Sequence, residues 1–148
     1  MACYARKGEE VEKMLKQIRA ATMLPAQDLE RAKGFYRDKL GLTPTQQRDP
    51  MGGMLYELSG GTGFAVFLSS GKPSGTHTQM ALEVQDLDAA VKDLRARGLK
   101  FEEYDSPGLK TVDGIAEIAG TKVAWFKDSE GNLIAIGLPV PVAATQSA

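Results

Sequence analysis

The sequence predicts an α+β fold made of two copies of one βαβββ module, because the chain repeats itself once. Gln27-Asp28-Leu29 returns 58 residues later as Gln85-Asp86-Leu87, and each copy follows an apolar stretch and opens a helix-like pattern. A second match relates residues 63–68 (Gly-Phe-Ala-Val-Phe-Leu) to residues 131–136 (Gly-Asn-Leu-Ile-Ala-Ile), with a shift of 68. Two copies of one supersecondary unit predict a pseudo-symmetric body with a concavity where the copies meet.

Residues 1–17 are predicted to form an N-terminal helical extension. Val11, Met14, Leu15 and Ile18 follow one another at intervals i, i+3, i+4 and i+7, which places them on one face of a helix over residues 7–16. An apolar stripe of this kind needs cover. We therefore expect the helix to lie on its own body or on a second subunit.

The first module is predicted over residues 18–70. Its first strand covers residues 18–24, and Pro25 ends the pairing because proline has no N–H group to donate. Asp28 is a suitable N-cap for the helix that follows, and Gly41 suits a left-handed helix end. That helix is expected to bury one face, formed by Leu29, Ala32, Phe35, Tyr36 and Leu40. The other strands are predicted at residues 42–48, 54–58 and 64–69, with a loop at 49–53 and a hairpin turn at 59–63.

The second module is predicted over residues 77–138, after a linker of small and polar residues at 69–77. Asp86 repeats the capping role of Asp28, and its helix runs to about Arg97. The pattern predicts strands at residues 79–84, 101–104, 122–127 and 133–138, a turn at 128–132 and a long loop at 105–120. A loop of that length inside a compact domain is more often functional than idle. Residues 139–148 are expected to form a flexible tail.

The composition indicates one ordinary globular domain and excludes several classes of partner. Of the 148 residues, 43% are hydrophobic and 25% are charged, and the net charge is −1. Neither half of the chain has the excess of Lys and Arg that binds nucleic acid. The apolar runs are far shorter than the roughly 20 residues of a membrane helix, and no secretory signal core follows the N-terminus. The single cysteine, Cys3, excludes a disulfide framework. We therefore expect a cytoplasmic protein that binds neither nucleic acid nor membrane.

Two segments resemble the vicinal oxygen chelate superfamily, which includes glyoxalase I, bleomycin-resistance proteins and extradiol dioxygenases. Residues 28–42 (Asp-Leu-Glu-Arg-Ala-Lys-Gly-Phe-Tyr-Arg-Asp-Lys-Leu-Gly-Leu) are similar to the family's helix with its Phe-Tyr pair and Leu-Gly-Leu ending. Residues 124–132 (Ala-Trp-Phe-Lys-Asp-Ser-Glu-Gly-Asn) are similar to its Asp-Pro-Asp-Gly-Asn hairpin, with Ser129 and Glu130 in place of two members. The resemblance covers residues 18–138 as a single domain. It implies the glyoxalase/bleomycin-resistance fold, a curved mixed sheet with helices on its convex side and a cup on its concave side.

The resemblance also implies where a metal would be bound, on the first and last strand of each module. The two repeat shifts place these positions at Ala21, Phe67, Gln79 and Ala135. A divalent ion needs several O or N donors, and three of these four side chains offer none. The sequence therefore predicts that the protein binds no metal and no other cofactor.

Alternation along the strands predicts which side chains face the cup. We select seven candidate ligand-binding residues and no catalytic residue: Arg19, Met23, Glu57, Phe67, His77, Gln79 and Trp125. Phe67 and Trp125 are suited to stack on a flat ligand, or else they fill the core. His77 and Gln79 are suited to orient polar groups, or else His77 lies in solvent and the opposite strand satisfies Gln79. Arg19 is suited to an anion, or else it pairs with Glu57 or Glu83.

Three functions are compatible with these residues. We favour a metal-free binding protein of the bleomycin-resistance kind, which sequesters or carries a small, largely apolar organic molecule. The alternative is a metal-dependent lyase, isomerase or dioxygenase of the glyoxalase superfamily, with displaced ligands drawn from Glu57, His77, Glu83 and Asp105. The third is an interaction module that uses the apolar stripe. All three allow a homodimer, which the family commonly forms, and the preferred one requires no catalysis.

Overall fold

The computed structural model describes residues 2–48 and 52–139 of the chain. Residues 49–51 of the predicted loop and residues 140–148 of the predicted tail lie outside the described residues. The N-terminal helix α1 is Ala2–Leu15. The first module then contains β1 (Thr22–Ala26), α2 (Leu29–Leu40), β2 (Gln46–Arg48), β3 (Gly53–Glu57) and β4 (Gly63–Leu68). The second contains β5 (Met80–Glu83), α3 (Leu87–Ala96), β6 (Asp105–Ser106), β7 (Leu109–Val112), β8 (Ile115–Ile118), β9 (Thr121–Lys127) and β10 (Leu133–Gly137).

The strands of each module form one sheet, and the α+β architecture is confirmed. The first sheet has the order β1-β4-β3-β2, and the second has the order β5-β10-β9-β8-β7-β6. In both sheets the first strand of the module pairs in parallel with the last, whereas the remaining neighbours are antiparallel. The two sheets therefore have the same internal symmetry that the sequence repeat predicts.

The helix caps lie where the sequence placed them. The Asp28 side chain accepts a hydrogen bond from the Arg31 N–H, and the Asp86 side chain accepts one from the Ala89 N–H. Both bonds satisfy donors that a helix N-terminus otherwise leaves unpaired. Gly41 ends α2 with a positive φ of 69°, which is a conformation that glycine adopts without steric cost.

One face of each sheet packs against the two module helices and forms the core. Strand residues of that face are buried together with Ala32 and Tyr36 of α2 and with Leu87 and Val91 of α3. Tyr36, Tyr56 and Phe64 form an aromatic cluster, in which the rings of Tyr56 and Phe64 stack with centroids 4.8 Å apart. The opposite face of each sheet is called here the concave face.

Three expectations for the strands are wrong. The first strand begins at Thr22 and continues through Pro25, which pairs in parallel with Phe67. Because β1 is the edge strand of its sheet, the missing N–H of Pro25 disrupts no ladder on the outer side. The strand predicted at residues 42–48 forms only over Gln46–Arg48. Within the stretch predicted as a strand at 101–104, Phe101 makes an isolated bridge with Phe126.

The predicted long loop at residues 105–120 is instead a series of short strands, β6, β7 and β8. Three two-residue turns connect them to one another and to β9, and each turn ends in a glycine with positive φ: Gly108, Gly114 and Gly120. Asp-Gly and Pro-Gly pairs are common in such turns because glycine tolerates a positive φ. These turn pairs were therefore visible in the sequence, although a continuous loop was predicted there.

Residues 7–20, which include the second half of α1, do not pack on the body of the chain. Every one of these residues is exposed, and in the apolar stripe the exposed fraction ranges from 50% for Val11 to 61% for Ile18. The first of the two covers expected from the sequence, the chain's own body, is therefore wrong for these residues. None of the helices within residues 2–48 and 52–139 has the length and apolar content needed to cross a lipid bilayer.

The turn between β9 and β10, residues 128–132, joins the two modules. Tyr36 of the first module donates a hydrogen bond of 2.7 Å from its hydroxyl to Oδ2 of Asp128. Asn132, which is fully buried, donates from Nδ2 to the Pro25 carbonyl at 2.9 Å and to Asp128 Oδ2 at 2.8 Å. Burial and the negative charge of Asp128 raise the pKa of Tyr36 far above its ordinary value. These bonds fix the position of one sheet relative to the other.

Candidate functional site

The concave face of the second sheet is a trough of small side chains beside a tryptophan. Pairing brings Trp125 of β9, Ala135 of β10 and Ala81 of β5 into one row across the sheet. The next row contains Val123, Gly137 and Glu83. Ala81 of the edge strand β5 and Ala135 and Gly137 of β10 leave space above the sheet, and Val123 bounds that space on one side. Trp125 lies beside this space, in the row of Ala135.

A pocket of about 120 Å³ occupies this trough. Its surface is almost entirely apolar, which is the usual character of a small-molecule site. Glu83 and Lys122 are the charged residues of its lining. The lining consists of Ala81, Leu82, Glu83, Thr121, Lys122, Val123, Ala135, Gly137 and Leu138.

Trp125 is held in a fixed orientation at the edge of the trough. Its indole Nε1–H donates to Oγ1 of Thr78 at 3.1 Å, and the ring of Tyr104 packs edge-on against it with centroids 5.5 Å apart. Burial and the neighbouring Glu102 raise the pKa of Tyr104, so its hydroxyl stays protonated at neutral pH. The two rings therefore form an uncharged aromatic surface beside the row of Ala135 and Ala81.

Gln79 and His77 lie just before β5, on either side of Thr78, which bonds to Trp125. The Gln79 amide donates from Nε2 to Oδ1 of Asn132 at 3.0 Å and accepts from the Leu133 N–H at 3.3 Å. Its polar atoms are thus bonded to the neighbouring strand, which is the alternative considered for this residue. His77 is exposed, and its Nδ1 lies 3.1 Å from the Ser74 hydroxyl. This contact orients the ring of His77 and thereby positions its other nitrogen, Nε2.

The concave face of the first sheet contains Met23 and Phe67. Met23 is 55% exposed and pairs with Ala65, whereas Phe67 is half-buried and pairs with Pro25 in the next row. Both side chains belong to the sheet face opposite α2. The structure therefore divides the predicted ligand-binding residues between two sheets, with Met23 and Phe67 on one and His77, Gln79 and Trp125 on the other.

Arg19 and Glu57 lie around the turn between β3 and β4. The Arg19 guanidinium donates a hydrogen bond to the carbonyl of Gly61, and Glu57 is paired in register with Gly63. Among the described residues, neither Arg19 nor Glu57 forms a salt bridge. The expected ion pair of Arg19 with Glu57 or Glu83 is therefore not formed. Both residues are exposed at the rim of the first sheet.

The four positions implied for a metal do not form a coordination site. Phe67 pairs with Pro25, so Ala21 lies four residues out of register with it, which corresponds to about 13 Å along the strand. In the second sheet the offset between Gln79 and Ala135 is only two residues, because Ala135 pairs with Ala81. Across residues 2–48 and 52–139, no group of three His, Cys, Asp or Glu side chains is placed to hold an ion. The donors present do not fit a divalent metal.

Ala81, Glu83, Ala135 and Gly137 line the pocket but are not among the seven candidate residues selected from the sequence. The pocket adds Thr121, Lys122 and Val123 from the start of β9, which the sequence argument omitted. The alternation of side chains along β9 does place Val123 on the concave face, because it lies two positions before Trp125 on the same strand. No sequence signal indicates Thr78 and Tyr104, because their contacts with Trp125 depend on tertiary structure.

Comparison with known proteins gives a family match and several similar folds. The model of the Glyoxalase/Bleomycin resistance protein/Dioxygenase superfamily matches residues 17–136. A bleomycin-binding protein crystallised with bleomycin is similar with a TM-score of 0.62 and 20% identity, over 84% of this chain and 100% of that one. TnmS3, an antibiotic binding protein from Streptomyces sp. CB03234, is similar with a TM-score of 0.57 and 22% identity, over 84% and 98%. The oxidase ChaP-H2 is similar with a TM-score of 0.61 and 23% identity, over 84% and 95%.

None of the curated proteins searched is a significant match. The similar solved structures share less than 25% of their residues with this chain, so they support the fold alone. One of these similar proteins is named as an oxidase, and the other two are named as binding proteins. Any more specific function has to be argued from the side chains of this chain.

Proposed function

The chain belongs to the Glyoxalase/Bleomycin resistance protein/Dioxygenase superfamily, and we propose that it is a metal-free member that binds a small, largely apolar organic molecule. The ligand lies on the concave face of the second sheet, over Ala81 and Ala135 and against Trp125. Its role is sequestration or carriage, and the site performs no reaction. The names of two similar structures, a bleomycin-binding protein and an antibiotic binding protein, agree with this class of ligand.

One observation carries this proposal: where the family resemblance implies metal ligands, this chain has side chains that create apolar space. Ala135 contributes a methyl group, and Ala81 beside it does the same, so the trough is open and apolar. Phe67 offers a ring in the first sheet. Gln79 is the one polar member of the set, and its amide is already bonded to Asn132 and to the Leu133 N–H. This is an arrangement for burying a hydrocarbon or aromatic surface.

Trp125 is the only tryptophan of the chain, so its fluorescence reports directly on the site. We expect bleomycin or another planar aromatic antibiotic to change the emission of Trp125 in a saturable titration. A ligand at a hundred times its dissociation constant should also stabilise the fold by about 2.7 kcal/mol in thermal unfolding. A broad panel of planar aromatic compounds without any fluorescence or thermal response would refute the proposal.

Two variants of Trp125 separate stacking from simple packing. Trp125→Phe keeps an aromatic surface and should retain most of the thermal shift, whereas Trp125→Ala should lose it. Since Trp125 is half-buried, Trp125→Ala also lowers the stability of the free protein. The relevant quantity is therefore the ligand-induced shift of each variant relative to its own unliganded midpoint.

The metal-dependent alternative needs a ligand set drawn from Glu57, His77, Glu83 and Asp105. Within the described part of the chain these groups do not converge on one point, and Glu57 belongs to the other sheet. Elemental analysis of protein purified without chelators tests this alternative directly. A stoichiometric divalent ion that is lost on His77→Ala would replace the binding proposal with a metalloenzyme.

We further propose that the protein is a homodimer in which the α1 helices of the two subunits pack against each other. The stripe of Val11, Met14, Leu15 and Ile18 is exposed on the single chain. A two-fold axis between two copies places the same stripe on both sides of the interface, so each stripe would cover the other.

We also propose that the protein is located in the cytoplasm. The one cysteine, Cys3, cannot form an intramolecular disulfide, so the fold needs no oxidising compartment. Fractionation of the source cells with an antibody against the protein tests this location.

A further inference from the structure

We propose that the chain beyond Pro139 folds back over the apolar pocket of the second sheet, so that residues 140–148 cover the pocket until a ligand displaces them. This inference rests on the proposed function and adds the regulation of that same site. It follows from three features: the place where the chain leaves β10, the size and surface of the pocket, and the sequence of the nine residues that follow.

The pocket lies at the end of the last strand. The strand β10 ends at Gly137, and both Gly137 and Leu138 line the pocket. The Leu138 N–H donates to the Lys122 carbonyl at 3.3 Å, which holds the chain beside the first residues of β9 up to this point. Pro139 follows and is exposed. Residues 140–148 therefore start only two positions after a residue of the pocket wall.

The pocket has the size of an aliphatic side chain rather than of a drug-sized molecule. Its volume is about 120 Å³, whereas sites for drug-sized ligands are about 300–1,000 Å³. Because its surface is almost entirely apolar, a group that fills it gains by leaving water and needs no hydrogen-bond partner. The side chains of Val140 and Val142 meet both conditions. A larger ligand has to extend over Ala81 and Ala135, and it then displaces such a cover.

The sequence of residues 140–148 suits an apolar surface. It reads Val-Pro-Val-Ala-Ala-Thr-Gln-Ser-Ala and has no charged side chain, although 25% of the whole chain is charged. Pro139 and Pro141 have no N–H group, so two fewer backbone donors lose water when this part of the chain is buried. Their fixed φ also restricts the free segment, which reduces the entropy that docking removes.

The distance to be covered is short. Ala81 and Ala135 pair in the row two residues before Gly137, which corresponds to about 7 Å along the strand. An extended residue spans at most about 3.6 Å, so two to four residues beyond Leu138 are enough to reach this row. Val140 and Val142 lie at these two separations from Leu138.

Nuclear magnetic resonance of the full chain tests the contact without any ligand. Nuclear Overhauser contacts should connect the methyl groups of Val142 with that of Ala135. A variant without residues 140–148 should show shifted amide signals for Ala81, Ala135 and Gly137, whereas the signal of Ala32 in α2 should not move. A full chain without the Val142 contact, or a shortened chain with unchanged amide signals at the pocket, would overturn the inference.

Displacement of the cover is tested with Nile red, an uncharged apolar dye. Val140→Asp and Val142→Asp together should raise the affinity of the full chain for Nile red about fivefold, because a carboxylate resists burial in an apolar pocket. A fivefold change corresponds to a pocket that is covered in about four-fifths of the molecules. Thr145→Asp and Ser147→Asp add the same charge further along the segment. This matched control should leave the affinity for Nile red unchanged.

The outcomes separate this inference from the proposed function. An equal affinity of the wild type and of the variant at Val140 and Val142 would overturn the cover but leave the binding proposal standing. If neither Nile red nor the antibiotic panel binds to any of these proteins, the proposed function is refuted. The resonance contact of Val142 with Ala135 then decides on the cover by itself.

Discussion

Glu130 is buried at the junction of the two modules, yet the structure keeps it ionised. Its Oε1 accepts the backbone N–H groups of Gln27 and Asp28, each at 3.0 Å, just before α2 begins. The Arg31 guanidinium binds both carboxylate oxygens, at 2.8 and 2.9 Å. Burial raises the pKa of Glu130, but the hydrogen bonds from Arg31, Asp28 and Ser129 outweigh it and lower the pKa to about 2. This residue departs from the family's hairpin motif, and it has gained a local role in anchoring the N-terminus of α2.

The pKa of Glu130 predicts how the stability depends on pH. Its value is lower in the folded protein than the ordinary 4.5, so ionisation of Glu130 stabilises the fold above pH 4.5. This contribution, roughly 3 kcal/mol from a shift of about 2.5 units, is lost as the pH falls from about 4.5 to about 2. Glu130→Gln should therefore be less stable than wild type at pH 7 by about that amount, and the difference should shrink toward pH 2.

Urea unfolding of both proteins at several pH values measures this difference. Glu30→Gln, which alters an exposed carboxylate in the first turn of α2, serves as control and should follow the wild-type curve. A stability difference between wild type and Glu130→Gln that is constant from pH 7 to pH 2 would contradict the ion-pair explanation.

The contacts of a residue could be predicted only where its partner lies a few positions away in the sequence. The caps Asp28 and Asp86 were predictable, because each bonds to an N–H only three residues away. The partners of Gln79 and Arg19 were not, since they lie 53 and 42 residues away in the sequence. Alternation along a strand indicates which face a side chain occupies, but it does not reveal which protein atoms form hydrogen bonds with that side chain.

At the scale of elements, the three tandem hairpins of residues 105–121 have turns of unequal quality. Asp113 and Ala119 both adopt positive φ, at 52° and 50°, each just before a glycine. Asp is among the residues that tolerate this conformation, whereas alanine is strained there by its Cβ. The Asp113-Gly114 turn is thus well suited to its hairpin, and the Ala119-Gly120 turn is less suited.

Ala119→Asn should stabilise the protein by about 1 kcal/mol, because Asn-Gly is the preferred pair for a two-residue hairpin turn. Asp113→Ala is the matched converse and should destabilise by a similar amount. Both changes are exposed and make no new packing contact, so urea midpoints at constant slope report the turn alone. A stabilising effect of Asp113→Ala, or a loss on Ala119→Asn, would show that the turns are not strained in the stated way.

The helix α1 carries the second prediction at this scale. Leu15 is in the centre of the apolar stripe and is exposed on the single chain, so Leu15→Lys should leave the folded monomer intact. If α1 forms the dimer interface, the same change should shift sedimentation equilibrium from dimer to monomer. Gln17→Lys adds a lysine at an exposed residue outside the stripe and should keep the dimer. An unchanged dimer in Leu15→Lys would move the interface to another surface.

The elements were predicted best where caps and turns coincide with hydrophobic periodicity. The helix α2, the hairpin of β3 and β4, and the hairpin of β9 and β10 follow the sequence signals closely. The stripe of α1 was also readable, but periodicity alone could not show that it is exposed on the single chain. The hairpins of residues 105–121 were missed because the strands are only two to four residues long, below the length at which alternation is convincing.

For the whole molecule, the repeat gave the architecture, but the two modules are not identical copies. The sequence shift of 58 relates Met23 to Ala81, and the shift of 68 relates Phe67 to Ala135. Ala135 does pair with Ala81, whereas Phe67 pairs with Pro25 rather than with Met23. The first and last strands of the first module are therefore displaced by two residues relative to the second. Concave-face rows therefore cannot be transferred from one module to the other by sequence shift.

The hydrogen bonds of residues 128–132 predict that the two modules unfold together. Asn132 bonds to Pro25 of the first module and to Asp128 and Gln79 of the second, and it is completely buried. Wild type should therefore show one cooperative urea transition. Trp125 fluorescence reports the second module, the near-ultraviolet signal of the tyrosines in the Tyr36 cluster reports mainly the first, and the two curves should coincide.

Asn132→Ala leaves the Pro25 carbonyl and the Gln79 amide without their buried partner, so it should destabilise by about 2–4 kcal/mol. With that bond removed, the two probes should give separate transitions, and the second module should unfold at the lower urea concentration because its turn has lost an internal bond to Asp128 as well. Thr45→Ala, which removes an exposed side-chain hydrogen bond inside the first module, should lower stability slightly and keep the curves coincident. Coincident curves in Asn132→Ala would mean that the contacts of Tyr36 and Glu130 are sufficient to couple the modules without Asn132.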